Sequence, residues 1–233
     1  MISELGLTNQ HVEAQQAFFG KGVSERHRGI PYPGTFILDE GGTVVGKEFE
    51  QSYRDRASGS YLLDQLGVAP LDPGAQEQEA TPGVKARAWV GTSTYRPLQK
   101  VPVHVRLDMA DGVHVYVPPV PDGFVPLSVV VPGHEALLGG SARVPNGTPH
   151  AVEGLGERFF VVTDQVDLTV PVKLAGRGFE LDGQQRAEPR PEGAATIPVV
   201  IRYQACTSTE CFPPQELQLE LGLTEEDVLR PER

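Results

Sequence analysis

The fold is decided by a stretch that begins with Ala195-Thr-Ile-Pro-Val-Val-Ile-Arg-Tyr203 and continues as Gln204-Ala-Cys-Thr-Ser-Thr-Glu-Cys-Phe-Pro-Pro214. A second alternating segment, Glu216-Leu-Gln-Leu-Glu-Leu221, follows the two prolines. Segments of this kind are typical of strands, and the polar residues Thr207-Ser-Thr-Glu210 between them are typical of a tight turn. We therefore predict two antiparallel strands joined by a loop that carries a thiol at each end.

The two thiols belong to Cys206 and Cys211, which are the only 2 cysteines of the chain. They can form a disulfide if their Cβ atoms approach within about 4 Å. Such a bond is either a structural staple or a reversible redox pair. As a staple it contributes only ~2 kcal/mol, because the loop is short. The spacing also leaves open two unpaired buried thiols or two metal ligands, although a zinc site usually needs four.

Composition places the chain among globular proteins that bind neither nucleic acid nor an acidic membrane surface. Hydrophobic residues make up 39% and charged residues 22% of the 233 residues, and the net charge is -11. A strongly acidic surface disfavours partners that are themselves acidic. No apolar run approaches the roughly 18 residues of a membrane span. The first residues, Met1-Ile-Ser-Glu-Leu-Gly-Leu7, lack the pattern of a signal peptide, which leaves a cytoplasmic location open.

From Val84 onward the pattern predicts an all-β fold. Short strand-like segments separated by turn signals are typical of a β-sandwich. Val103, Val105 and Leu107 alternate with polar residues, as they should in a half-buried strand. The predicted strands cover 84–94, 101–109, 113–117, 126–131, 158–162, 166–174 and 196–203.

The cysteine segment, Tyr203-Gln-Ala-Cys206 followed after four residues by Cys211-Phe-Pro-Pro214, resembles the redox segment of the amino-terminal domain of the DsbD thiol–disulfide interchange proteins. The resemblance covers residues 84–223. It implies an immunoglobulin-like β-sandwich in which Cys206 and Cys211 form one exchangeable, catalytic disulfide. It also implies thioredoxin-like or redoxin partners and a location in the bacterial periplasm or envelope, with no cofactor and no metal.

For a redox-active pair, we expect roles for the residues beside the cysteines. We expect Tyr203 to pack against the pair or to offer its hydroxyl, and Phe212 to form an apolar rim. We expect Cys211 to face the partner. The alternative function is a non-catalytic immunoglobulin-like binding module in which the Cys206–Cys211 bond is a structural staple.

The amino-terminal region predicts a strand over 34–39, a turn, a strand over 43–49 and a helix over 58–66. Its segment Ile30-Pro-Tyr-Pro-Gly-Thr-Phe-Ile-Leu-Asp39 resembles the redoxin (alkyl hydroperoxide reductase/thiol-specific antioxidant) family at its cis-proline strand. The resemblance implies the carboxy-terminal half of a thioredoxin-like α/β domain, with Pro33 as the cis-proline candidate. No cysteine precedes Cys206, so we disfavour the peroxidase activity of that family.

The predicted organisation is therefore mainly β, with four segments. Residues 1–67 form a partial redoxin/thioredoxin-like fragment, and residues 68–83, rich in Pro, Gly and Glu, form a linker. Residues 84–223 form the β-sandwich. Residues 224–233 form a tail that is a short capped helix or a frayed end.

Overall fold

The computed structural model describes residues 4, 6–10, 12–18, 20–50, 55–68, 76–151, 158–182, 184–191 and 194–226. The chain divides into two compact units, Met1–Ser58 and Gly59–Arg233. The helix predicted over 58–66, which the sequence assigned to the redoxin-like fragment, is α2 (Gly59–Gln65). It belongs to the second unit, where its Asp64 carboxylate lies 3.6 Å from His104 Nδ1. The domain boundary at residue 67 stays a prediction.

The first unit contains little regular structure. Its main element is an antiparallel hairpin, which confirms the hairpin predicted from the sequence. Asp39 closes the turn of this hairpin by accepting a hydrogen bond from the Thr43 backbone N at 2.8 Å. A hairpin does not by itself identify half of a thioredoxin-like domain, which stays a prediction. The elements are α1 (Val12–Phe18), a 3-10 turn (Glu25–His27), β1 (Gly34–Leu38), β2 (Val44–Phe49) and β3 (Arg56–Ala57).

The cis-proline expectation for Pro33 is wrong. Among the described residues, which include Tyr32 and Pro33, the cis peptide bond joins Pro118 to Pro119. The carbonyl of Pro33 instead accepts a hydrogen bond from the Glu50 backbone N at 2.9 Å, which continues the pairing of β1 and β2 by one step. Pro33 is thus the entry to an ordinary hairpin.

The second unit is mainly β and contains one described helix. In chain order its elements are α2 (Gly59–Gln65), β4 (Gln76–Thr81), β5 (Val84–Val90), β6 (Thr94–Tyr95), β7 (Gln99–Met109), β8 (His114–Val117), β9 (Ser128–Val131), β10 (Leu137–Leu138), β11 (Gly140–Ser141), β12 (Thr148–Ala151), β13 (Arg158–Thr163), β14 (Gln165–Leu174), β15 (Ala194–Tyr203), β16 (Ala205–Cys206) and β17 (Gln215–Glu225).

These strands form three sheets within the second unit. The first sheet has the order β10-β14-β7-β5-β4, and the second has the order β11-β9-β15-β17-β6. The third, which we call the site sheet, has the order β12-β13-β8-β16. Neighbouring strands are antiparallel except for β17 and β6, which are parallel. Strands β7 and β14 pair from Asp108 with Gln165 to Lys100 with Lys173.

One apolar core lies between the first and second sheets, as expected for a β-sandwich. It joins alternating residues of β5, β7 and β14 to alternating residues of β9, β15 and β17. In β17 the residues Leu217, Leu219, Leu221 and Leu223 are buried, while the residues between them are exposed. Because period-two alternation places these side chains on one face, each of these strands contributes one side to the core. The sandwich prediction is confirmed for the mainly β architecture.

Two assignments near the ends of the sandwich need correction. Gln76–Thr81, predicted as linker, forms β4 and pairs with β5. Its sequence carries no apolar alternation, because an edge strand is held by backbone hydrogen bonds on one side. Thr224 and Glu225, predicted as tail, belong to β17, and residues 227–233 lie outside the described residues. Of the helices that the structure describes, none has the length and apolar character needed to cross a bilayer.

The assignment of the core can be tested with two leucines that differ in burial. Leu107 in β7 is 0% exposed and Leu138 in β10 is 55% exposed. Leu107→Ala removes buried methyl groups and leaves a cavity, so we expect it to lower the free energy of unfolding by ~2–5 kcal/mol. Leu138→Ala should change it by less than about 0.5 kcal/mol. Urea unfolding measures both, and equal effects would contradict the assigned core.

Candidate functional site

The two cysteines are bonded to each other and lie opposite each other in a tight hairpin. Their Cα atoms are 4.0 Å apart. On one side of the pair the Phe212 backbone N donates to the Ala205 carbonyl at 2.9 Å, and on the other the Thr207 N donates to the Glu210 carbonyl at 2.8 Å. Cys206 and Cys211 are therefore a non-hydrogen-bonded antiparallel pair, the type in which Cα atoms approach most closely. We call residues 205–212 the disulfide hairpin.

The turn of the disulfide hairpin is organised by one hydroxyl group. Thr207 Oγ1 accepts hydrogen bonds from the backbone N of Glu210 at 3.1 Å and of Thr209 at 3.2 Å. Hydroxyl groups of this kind replace backbone partners in turns. The predicted turn at 207–210 is confirmed, and its hydrogen bonds do not involve the sulfur atoms.

The two cysteines differ in exposure. Cys206, in β16, is only 1% exposed, whereas Cys211 lies at the surface. Strand β16 pairs with β8 so that Cys206 lies opposite His114. Directly paired residues present their side chains on the same face of a sheet. Cys206 therefore shares one face of the site sheet with His114 and, two residues along β8, with Tyr116.

Tyr116 is in contact with both sulfur atoms. Its hydroxyl lies 3.2 Å from Cys206 Sγ and 3.4 Å from Cys211 Sγ. Because bonded sulfurs carry no proton, the hydroxyl is the donor and the sulfurs are the weak acceptors. Burial raises the pKa of the Tyr116 hydroxyl above its usual value, so the group keeps its proton at neutral pH.

Tyr116 belongs to an aromatic cluster that supports the disulfide from within. Its ring centroid lies 5.0 Å from that of Phe159 and 5.4 Å from that of Phe124, and the Phe124 and Phe159 centroids are 4.8 Å apart. Together with Val161 and Cys206 these rings form a small core separate from that of the sandwich. The buried sulfur thus rests on an apolar surface with one polar group, the Tyr116 hydroxyl.

The two supporting residues expected from sequence pack on the core of the sandwich. Tyr203 is 0% exposed and belongs to the core between the two large sheets. Phe212 is half-buried and packs against that same core. Their roles at the site stay predictions. Tyr116 was missed because it lies 90 positions from Cys206 in the chain, and nothing in the local sequence links the two.

A pocket of about 500 Å³ opens beside the disulfide hairpin. Its lining includes His114, His150 and Ser208. The His114 and His150 ring centroids are 4.5 Å apart. Burial, and then the charge of His150, lower the pKa of His114, so its imidazole is neutral at pH 7. Within the ranges that the structure describes, no group of three or more His, Cys, Asp or Glu side chains is arranged to hold a metal ion.

The solved structures that resemble this chain include two amino-terminal domains with low sequence identity. The N-terminal periplasmic domain of ScsB from Proteus mirabilis is 13% identical, with a TM-score of 0.44, over 66% of this chain and 52% of that one. This chain therefore spans about half the length of the ScsB structure. The reduced N-terminal domain of DsbD from Neisseria meningitidis is 18% identical, with a TM-score of 0.29, over 52% of this chain and 77% of that one.

Among curated proteins no significant match was found. The family model described as "Thiol:disulfide interchange protein DsbD, N-terminal" matches residues 84–222. The matched range contains the sandwich strands from β5 onward, both cysteines and Tyr116. Since it covers more than half of the chain, this protein belongs to the family of DsbD N-terminal domains.

Proposed function

We propose that this protein exchanges its Cys206–Cys211 disulfide with thioredoxin-like partners and so relays electrons in the periplasm. The observation that carries the proposal is the disulfide between a surface cysteine and a buried one. The hairpin that contains both is also held by backbone hydrogen bonds on each side of the pair. Such a disulfide can open and close without rearrangement of the strands that carry it. DsbD N-terminal domains are periplasmic and exchange with thioredoxin-like proteins, which supports the location and the class of partner.

The unequal exposure of the two cysteines supports one order of the steps. A thiolate of the reduced partner attacks Cys211 Sγ, the Cys206–Cys211 bond breaks, and Cys206 leaves as a thiolate. The second partner thiolate then attacks the partner sulfur of the mixed disulfide and releases Cys211. The cysteine pair gains two electrons and two protons, and the partner dithiol becomes a disulfide. The reverse sequence transfers electrons outward.

Tyr116 has a defined part in these steps. Charge develops on Cys206 Sγ as the disulfide breaks, and the Tyr116 hydroxyl is 3.2 Å from that atom. A hydrogen bond to a thiolate is stronger than one to a bonded sulfur, because charged acceptors form stronger hydrogen bonds. The hydroxyl therefore stabilises the leaving group more than the starting disulfide, and it does so where little water reaches the sulfur.

The alternative, a non-catalytic binding module with a structural staple, is less consistent with the hairpin. The hydrogen bonds on both sides of the cysteines and the Thr207 hydroxyl already hold the loop. The sandwich core beside it is extensive and contains neither cysteine. A measured reduction potential separates the two functions, since structural disulfides typically lie below about −300 mV.

The amino-terminal region has no assigned role in the exchange. We propose that it derives from the carboxy-terminal half of a redoxin-like domain, on the sequence resemblance of residues 30–39. It contains no cysteine, so any electron transfer through it requires a thiol from another chain or domain.

The function is tested by trapping the mixed disulfide with single cysteine variants. In Cys206→Ser the exposed Cys211 is left free, and in Cys211→Ser the buried Cys206 is left free. Each variant is mixed with a thioredoxin-like partner that lacks its resolving cysteine and whose remaining cysteine is held as a mixed disulfide with 5-thio-2-nitrobenzoate, so that the free thiolate of the variant attacks the partner sulfur and releases thionitrobenzoate. We expect Cys206→Ser to form the covalent complex at least tenfold faster than Cys211→Ser. Non-reducing electrophoresis and mass spectrometry measure the complex. Absence of any complex, or faster trapping by Cys211→Ser, would contradict the mechanism.

The double variant Cys206→Ser/Cys211→Ser tests the staple. A loop of this length contributes ~2 kcal/mol to stability, and each kcal/mol shifts the melting temperature of a protein of this size by about 2–4 °C. We therefore expect a decrease of about 4–8 °C with the β-sheet circular dichroism spectrum intact. A variant that no longer folds would favour the binding module over the exchange protein.

Tyr116→Phe tests the hydroxyl at the sulfurs. The substitution keeps the aromatic ring and removes the donor to the leaving thiolate, so we expect reduction of the disulfide to slow by about three- to tenfold, the equivalent of one hydrogen bond of ~1 kcal/mol. Stopped-flow measurement of reduction by a small dithiol gives the rate. Phe159→Leu serves as the control for disturbed packing, and a similar rate for Tyr116→Phe and the unmodified protein would exclude the role of the hydroxyl.

A further inference from the structure

The residue between Tyr203 and Ala205 links two segments that meet at the disulfide. Gln204 is 8% exposed. Its Oε1 atom accepts a hydrogen bond from the Val125 backbone N at 3.1 Å, and its Nε2 atom donates to the Phe212 carbonyl at 3.3 Å. The buried carboxamide thus uses its acceptor for one segment and its donor for the other.

Both segments carry groups of the site. Phe212 directly follows Cys211, and Val125 directly follows Phe124, whose ring packs on Tyr116. The backbone of Gln204 adds a third link, because its carbonyl accepts from the Tyr116 N at 3.3 Å. One residue therefore connects the arm of the disulfide hairpin that bears Cys211, the loop that bears Phe124, and the strand that bears Tyr116.

The hydrogen bond to Phe212 matters most when the sulfur bond is open. The arm of Cys211 is then held at its base by the packing of Phe212 on the sandwich core and by two polar contacts, from the Phe212 N to the Ala205 carbonyl and from Gln204 to the Phe212 carbonyl. Pro213 and Pro214, which follow, are exposed and have no backbone N–H to donate. Loss of the Gln204 donor would remove one of the two polar contacts that hold this end of the arm.

We propose that Gln204 is a positioning residue for disulfide exchange: its carboxamide holds the Phe212 carbonyl and thereby keeps Cys211 opposite Cys206 in the reduced protein. The inference rests on the proposed function. By this role Gln204 would raise the effective concentration of the Cys211 thiol at the Cys206 thiol. It would therefore raise the equilibrium constant for formation of the disulfide.

Two substitutions distinguish the hydrogen bond to Phe212 from the hydrogen bond to Val125. Gln204→Met has a similar length and removes both. Gln204→Glu keeps an acceptor for the Val125 N and, once ionised, has no donor for the Phe212 carbonyl. Because burial raises the pKa of a carboxyl group, this variant is compared with the unmodified protein at alkaline pH. The control is Gln218→Met in β17, a strand that contains neither cysteine. Gln218 is exposed, and its amide donates to the Glu216 carboxylate.

The measurement is the equilibrium of each protein with glutathione. In this reaction the protein dithiol and oxidised glutathione give the protein disulfide and two reduced glutathione molecules. We expect Gln204→Met and Gln204→Glu each to lower the equilibrium constant about fivefold relative to the unmodified protein, since a lost hydrogen bond is worth ~1 kcal/mol. A fivefold change corresponds to about 20 mV at about 30 mV per tenfold change. Gln218→Met should leave the constant unchanged.

A merely structural role would have another signature. It would lower the melting temperature of Gln204→Met in the Cys206→Ser/Cys211→Ser background and leave the glutathione equilibrium unchanged, and that result would overturn the proposal. An unchanged glutathione equilibrium constant in Gln204→Glu would also overturn the proposal, because the hydrogen bond to the Phe212 carbonyl would then have no effect on disulfide formation. If Gln204→Met does not fold, Gln204→Glu decides. If the unmodified protein itself fails to equilibrate with glutathione, the proposed exchange function is wrong as well.

Discussion

The site depends on the pairing of two short backbone segments around the turn at Thr207–Glu210. The hydrogen bonds from Phe212 to Ala205 and from Thr207 to Glu210 place Cys206 and Cys211 in the antiparallel position where Cα atoms come closest. A disulfide between such residues links two segments that backbone hydrogen bonds already hold together. Its formation and loss therefore change the chemistry of two sulfurs more than the conformation of the chain.

The aromatic cluster gives the two sulfurs unequal surroundings. Cys206 rests against Tyr116, Phe159 and Val161 and is nearly excluded from solvent, while Cys211 lies at the surface. Burial alone disfavours a thiolate, because a charge is less stable where water is excluded. The Tyr116 hydroxyl is the compensating dipole at this position. In the proposed mechanism, the small core beneath the disulfide determines both which sulfur is reached and how the leaving sulfur is stabilised.

Much of the sandwich follows from period-two alternation in the sequence. The long strands β7, β14, β15 and β17 were predicted to within a few residues, because each buries one face in a common core. Strand β4 was not predicted, since the polar segment 76–81 pairs through its backbone. Strands of two residues, such as β10, β11 and β16, are too short to show any period.

The site was only partly predictable for a different reason. The cysteines and their turn are close in sequence and carry a family pattern, so their pairing was accessible. Tyr116 reaches the disulfide through the pairing of β8 with β16, a contact between distant parts of the chain, and Phe124 packs on the Tyr116 ring. Tyr203, adjacent to the motif, faces the sandwich core instead. Pro33 failed as a cis proline because a local resemblance does not determine a peptide isomer, which depends on the tertiary surroundings.

The separation of the two apolar cores has a consequence for how this domain can vary. The core between the large sheets maintains the fold, and the aromatic cluster of the site sheet maintains the surroundings of the sulfurs. Changes in the cluster therefore act first on the surroundings of the sulfurs, because its members lie outside the large core. Gln204 stands at the junction, because β15 ends in the large core at Tyr203 and β16 begins the disulfide hairpin at Ala205.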